Sequence, residues 1–165
     1  MKLVVKNGFL IDQNKNKFKC SIGYNGLSKN KSEGDGCTPI GNFKINKILY
    51  RPDKLSNYEF NLKSEAIERN DGWCDDINSD LYNQKVSFPF AQSAEHLHRD
   101  DDLYDIICVI DYNLNPIVKG RGSAIFLHVA KEDYSPTHGC VAIKKEQLLK
   151  ICLELEKNST LKIEY

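Results

Sequence analysis

A single segment of this 165-residue chain carries apolar residues at helical spacing, and that confines the fold to a mainly β architecture. Across residues 144–157, Leu148, Leu149, Cys152 and Leu155 fall at i, i+1, i+4 and i+7, with Lys and Glu on the opposite face. The other apolar runs are short and alternate or are β-branched, as strands do. Residues 2–6 and 18–24 read as strands flanking the polar turn Asp12-Gln13-Asn14-Lys15-Asn16. Residues 29–41 read as loop, with Gly34, Gly36, Pro39 and Gly41 among charges. Residues 42–50 alternate through Phe43, Ile45 and Ile48, residues 103–112 hold the run Ile106-Ile107-Cys108-Val109-Ile110, and residues 124–129 and 161–165 complete the strands. Residues 51–102 are polar and irregular, and so long a stretch is usually functional in a compact domain. The expectation is an α+β fold, mainly β with one substantial helix, in one domain spanning residues 1–165.

Composition narrows the function classes. Lys plus Arg and Asp plus Glu each number 23, so the chain lacks the basic excess of a general nucleic-acid binder or a polybasic membrane-surface protein. No apolar run approaches the roughly 18–20 residues of a membrane span, so no transmembrane segment is expected. Lys6 interrupts the first apolar run too early for a signal-peptide core. The six cysteines, Cys20, Cys37, Cys74, Cys108, Cys140 and Cys152, are widely and irregularly spaced without a CxxC. Most are expected to be free thiols packed as small hydrophobes.

Chemistry concentrates near the C-terminal end. His128 closes a buried strand, and a loop containing Pro136 leads to Thr137-His138-Gly139-Cys140 ahead of an apolar stretch and the helix. A thiol becomes a nucleophile when a neighbouring imidazole takes its proton or stabilises its thiolate. His128 could reach Cys140 across that loop. Gly139 allows close backbone approach to a carbonyl, and the N–H groups of Gly139 and Cys140 could face a developing oxyanion. The spacing alone leaves other readings open: a packed small Cys, a satisfied core His128, a turn residue at His138, or three metal ligands at a spacing that fits no usual zinc pattern.

Thr137-His138-Gly139-Cys140, preceded by His128, resembles the signature of the YkuD-type L,D-transpeptidase catalytic domain. Gly34-Asp35-Gly36-Cys37-Thr38-Pro39-Ile40-Gly41 resembles that family's upstream Asp-Gly-x-Thr-Pro-x-Gly element. A short bacterial branch of the family is further suggested by Leu49-Tyr50-Arg51-Pro52-Asp53, Asp71-Gly72-Trp73-Cys74-Asp75-Asp76, Arg99-Asp100-Asp101, Tyr104-Asp105 and Gly120-Arg121-Gly122-Ser123-Ala124-Ile125-Phe126-Leu127-His128. The resemblance implies a β-sandwich or barrel-like fold. It makes Cys140 the nucleophile, His128 the general base and then acid, Gly139 and Cys140 oxyanion-hole amides, and His138 an auxiliary pocket residue. The upstream element would be mainly structural. Arg121 is a candidate grip for a substrate carboxylate. Trp73, with Gly122 and Ser123, is a candidate groove residue. Two features depart from better-known members: His128 and Cys140 are only 12 positions apart, and Ala142 stands where Asn or Arg is common.

The implied reaction joins peptidoglycan stem peptides. Cys140 attacks the carbonyl of the third residue of a tetrapeptide stem, D-alanine leaves, and the thioester passes to an amine (a 3→3 cross-link) or to water. No metal or organic cofactor is required, and a monomer is expected. The alternatives are a thiol hydrolase (an L,D-carboxypeptidase or amidase) on peptidoglycan or wall-linked peptides, a non-catalytic wall-binding domain, and a metal-binding domain using His128, His138 and Cys140. Localisation stays open: the substrate points to the periplasm or cell wall, and the unmarked N-terminus leaves the cytoplasm available.

Overall fold

The computed structural model describes residues 1–165. Fourteen strands and one helix follow in chain order: β1 (Lys2–Lys6), β2 (Phe9–Ile11), β3 (Lys17–Lys19), β4 (Leu27–Ser28), β5 (Thr38–Pro39), β6 (Gly41–Tyr50), β7 (Ser64–Ala66), β8 (Asp71–Cys74), β9 (Lys85–Ser87), β10 (Ala94–His96), β11 (Ile106–Ile110), β12 (Phe126–Val129), β13 (Val141–Ile143), α1 (Lys145–Glu154) and β14 (Thr160–Ile163). The main sheet runs β13-β12-β11-β6-β14-β1-β2-β3, with β7 paired on β6. It nearly closes on itself. The chain leaving β3 at one edge bridges the far edge, Ser21 to Ala142 and Gly23 to Thr137. The expected mainly β fold with one substantial helix is therefore the observed one.

Several local expectations shift. Of residues 18–24, only the start belongs to a strand, because the chain then crosses to β13 and is held there by isolated bridges. The irregular stretch 51–102 contains four strands, β7 to β10, each too short to show a period. Three of them form a small separate sheet, β10-β8-β9. In α1 the buried stripe is Leu148, Ile151 and Cys152, followed by Leu155 just past the helix. Ile151 thus replaces Leu149, which is only half-buried, because i+3 lies on the core face and i+1 does not.

The sheet separates two apolar clusters. In β11, Ile106, Cys108 and Ile110 enter the larger cluster under α1, while Ile107 and Val109 enter the smaller one on the opposite face. Burial on both faces explains why this strand reads as a continuous apolar run. Strand β12 splits likewise: Leu127 and Val129 pack toward α1, and Phe126 joins Trp73, Tyr104 and Leu97 on the other side. That second side holds the chemistry.

Candidate active site

Strand alternation puts His128 on the same face as Phe126. Strand β13 pairs parallel to β12 in the register Leu127↔Val141 and His128↔Ala142. One step back, Cys140 lies beside Phe126, whose N–H donates to Cys140 Sγ at 3.4 Å. The thiol and the imidazole therefore share a face of two adjacent strands, two register steps apart. At ~3.3 Å per residue and ~4.8 Å between strands, their Cα atoms are roughly 8 Å apart. Both side chains line one cleft of about 620 Å³.

His128 is buried, with 7% exposure. Its Nδ1 lies 2.8 Å from the Val129 carbonyl oxygen. A carbonyl can only accept, so in the neutral ring Nδ1 carries the proton and Nε2 presents its lone pair. The Tyr104 ring meets the imidazole edge to face, with centroids 5.3 Å apart. Burial pushes the imidazole down to about 4.

The Cys140 thiol donates to the Ala124 carbonyl at 3.1 Å. Burial, with the Glu95 carboxylate nearby, pushes it up to about 12, against the opposing pull of the Phe126 N–H and the Lys31 ammonium. Both shifts favour the uncharged forms, a thiol and a neutral imidazole. Burial of both groups thus works against ionisation of the sulfur by this imidazole alone.

Ala124, which accepts the thiol proton, has φ +51°. An alanine in that region costs roughly 1–2 kcal/mol, and its N–H is fixed by Asn83 Oδ1 at 3.0 Å. The strain aims its carbonyl at the sulfur.

The turn before Cys140 is equally constrained. Gly139 is buried with φ +137°; a Cβ there would lie 2.9 Å from the Cys37 carbonyl oxygen and 3.3 Å from Lys31 Nζ. Only glycine suits this position. The Thr137 hydroxyl donates to the Cys140 carbonyl oxygen at 2.6 Å and accepts the Gly139 N–H at 3.2 Å. The Cys140 N–H makes no hydrogen bond within the protein. Of the two amides expected to face an oxyanion, Cys140's is free and Gly139's is occupied by a threonine.

Of the other residues singled out by sequence, Ser123 and His138 line the cleft. His138 is exposed and meets Tyr24 edge to face at 5.6 Å. Gly122 lies behind the wall, against the Lys31 stem. Arg121 does not reach the cleft: it is exposed between Gly120 and Gly122, both at positive φ, and its carbonyl accepts from Tyr112 Oη at 2.6 Å. Trp73 is also not a groove residue. All four β8 residues are buried between β9 and β10, so its indole packs on Phe126 at 5.1 Å and donates to Asn83 Oδ1 at 2.9 Å. His128, His138 and Cys140 do not form a group able to hold a metal ion.

The cleft lining also includes residues to which the sequence reading gave no role, among them Lys31, Glu95 and Tyr104. Tyr104 Oη donates to Glu95 Oε1 at 2.6 Å. Burial raises the Glu95 carboxyl above the usual range despite that bond. Tyr104 lies in the Tyr104-Asp105 pair of the resemblance, whereas Lys31 and Glu95 stand in polar stretches where no local pattern marks them.

The family model for YkuD, described as the L,D-transpeptidase catalytic domain, matches residues 3–163. Among solved structures, a crystal structure of Mycobacterium tuberculosis L,D-transpeptidase 1 aligns with 99% of this chain at 9% identity and a TM-score of 0.44. The chain spans 58% of the length of that protein. No curated protein sequence matches the chain.

Proposed function

The chain belongs to the YkuD family of L,D-transpeptidase catalytic domains, and from that premise we propose that it is a cysteine acyl-transferase acting on peptidoglycan stem peptides. The observation that supports this reading most is the shared placement of His128 on β12 and Cys140, just ahead of β13, on one face, opening on a cleft of a size to admit an acyl group. A single catalytic domain, residues 1–165, carries the activity.

In this reading the carbonyl of the third stem residue enters above Cys140. His128 Nε2 takes the thiol proton as sulfur attacks; the C–S bond forms and the carbonyl π electrons move onto oxygen, and the Cys140 N–H donates a hydrogen bond to that oxyanion. A preorganised donor of this kind is worth about 3–4 kcal/mol of barrier. On collapse the C–N bond breaks, and the imidazolium returns its proton to the leaving D-alanine amine. An amine of a second stem then attacks the thioester, passes its proton to His128, and expels the thiol, giving the 3→3 link. Water in place of the amine gives L,D-carboxypeptidase action. The Val129 carbonyl serves as the orienting partner that a third acid supplies in other triads. His138 and Ser123 line the substrate's path, and no cofactor takes part.

The test is intact-mass spectrometry after exposure to a carbapenem, whose strained amide mimics an acyl donor. One covalent adduct is expected in the native protein and none in Cys140→Ala. An adduct that persists in the variant would overturn the assignment of the nucleophile. Products from purified muropeptides then separate transfer (cross-linked dimers) from hydrolysis (trimmed tripeptides).

A further inference from the structure

The resting site poses a chemical problem. A thiol raised to about 12 does not readily give its proton to an imidazole lowered to about 4. Charged groups face Cys140 from several elements. Glu95 on β10 disfavours a thiolate, Glu33, Asp75 and Asp101 add negative charge to the cleft, the Arg99 guanidinium is taken by Asp101 at 2.8 and 2.6 Å, Lys131 and His138 sit exposed at the mouth, Tyr104 ahead of β11 is uncharged and His128 on β12 is neutral. Negative charge on sulfur or on a substrate oxygen therefore needs a cation that the His–Cys pair does not provide.

Lys31 is placed to be that cation. Its side chain is 3% exposed, yet it lines the cleft that holds Cys140. The stem lies against Gly122, with Cε 2.8 Å from where a Cβ there would stand, and the ammonium arrives at Gly139, 3.3 Å from the corresponding point. Any side chain at either glycine would meet it. The ammonium is tied back by Asp35 Oδ1 at 2.7 Å and the Ser32 carbonyl at 3.4 Å. Asp35 is itself fixed by the N–H groups of Ser32 and Cys37, each at 2.8 Å. Burial acts to raise the Asp35 carboxyl, but the Lys31 ammonium and these two donors bring it below the usual range, so it stays ionised. The same loop reaches the catalytic turn twice more: the Thr38 hydroxyl donates to the Cys140 carbonyl at 3.3 Å, and the Cys37 carbonyl abuts Gly139.

We propose that Lys31 is the electrostatic partner of Cys140, its buried ammonium held against Gly139 by Asp35 so that it stabilises negative charge on the sulfur and on the tetrahedral oxyanion. The Gly34-Asp35-Gly36-Cys37-Thr38-Pro39 element then has a task beyond stiffening a turn. Asp35 is the positioning residue, and it partly neutralises the charge that it positions. The oxyanion half of this inference rests on the acyl-transfer reading; the sulfur half does not.

The experiment follows alkylation of Cys140 by iodoacetamide, a neutral probe, through mass spectrometry of the Cys140-containing peptide between pH 7 and 9. Lys31→Met keeps the stem and removes the charge. It is expected to slow alkylation about tenfold at each pH, the effect of losing one close opposite charge, and to lower kcat similarly while KM stays within about threefold. Asp35→Asn keeps the acceptor oxygen and removes the neutralising charge, so alkylation is expected to be equal or faster. An unchanged alkylation rate in Lys31→Met overturns the proposal, as does a rise in KM alone, which would mark a substrate anchor. Equal slowing in both variants also overturns it, as a packing disturbance. If Lys31→Met does not fold, Asp35→Asn decides by sign: slower alkylation counts against the proposal. Alkylation needs no stem peptide, so a native protein inactive on muropeptides would sink the proposed function and leave this titration readable.

Discussion

The two faces of the β11–β12–β13 sheet both bury cysteine sulfur, and they treat it differently. Under α1, Cys108 and Cys152 lie 3.3 Å apart, sulfur to sulfur, in an apolar cluster with 0% exposure each. On the other face Cys140 is only partly buried, accepts a backbone N–H, donates to a strained carbonyl and has a cation nearby. Burial raises both Cys152 and Cys140, so a high thiol pKa does not tell a packed cysteine from a nucleophile. The difference is provision: a cleft, donors in place and an adjacent imidazole, set against an apolar cluster and a second thiol. Low ionisation at rest is compatible with chemistry only where such groups await the charge.

The comparison breaks most sharply by exchange of roles. Cys140→Ala is expected to lower turnover at least a thousandfold, roughly the scale of losing a nucleophile, with thermal stability nearly kept. Cys108→Ala is expected to cost about 1 kcal/mol in urea denaturation and leave turnover intact. Activity lost in Cys108→Ala without unfolding would erase the distinction between the faces. Next comes His128→Ala, expected to lose roughly 10²–10⁴-fold in kcat while circular dichroism stays native. Wild-type rates there would remove the base assignment, and a larger loss in His138→Ala would transfer it.

A smaller effect comes with pH. His128 titrates near 4 when folded and near 6.5 when unfolded. Between those values the unfolded chain binds a proton that the native state refuses. Stability attributable to His128 is therefore present above about pH 6.5 and falls toward pH 4, by at most about 1.4 kcal/mol per pH unit. Chemical denaturation of His128→Gln across this window should show a flatter profile than the native protein; parallel profiles would mean the imidazole is hydrated. The smallest effect is expected at Arg121→Ala. Its exposed guanidinium stands outside the cleft, so stability should stay within about 0.5 kcal/mol and KM should not change. A large rise in KM would return Arg121 to substrate binding.

How much was legible differs by region. Strands β1, β6, β11 and β12 and the helix follow from consecutive residues, because period and β-branching are local properties. The four strands within residues 51–102 were hidden, since three or four residues cannot display a period. Trp73 shows the limit at the site: flanking Gly and Asp suggested a groove, but β8 is the middle strand of a small sheet, and only its neighbours bury it.

Two things therefore came from sequence alone: the mainly β architecture with one helix, and the pairing of His128 with Thr137-His138-Gly139-Cys140 as the candidate chemistry. Both are written in short stretches of chain. The tertiary structure decided that Lys31 is buried against a glycine 108 positions away, that Arg121 is left in solvent, and that burial pushes the thiol up and the imidazole down. Charge state and exposure depend on which distant groups exclude water from an atom, and no local pattern of residues encodes that.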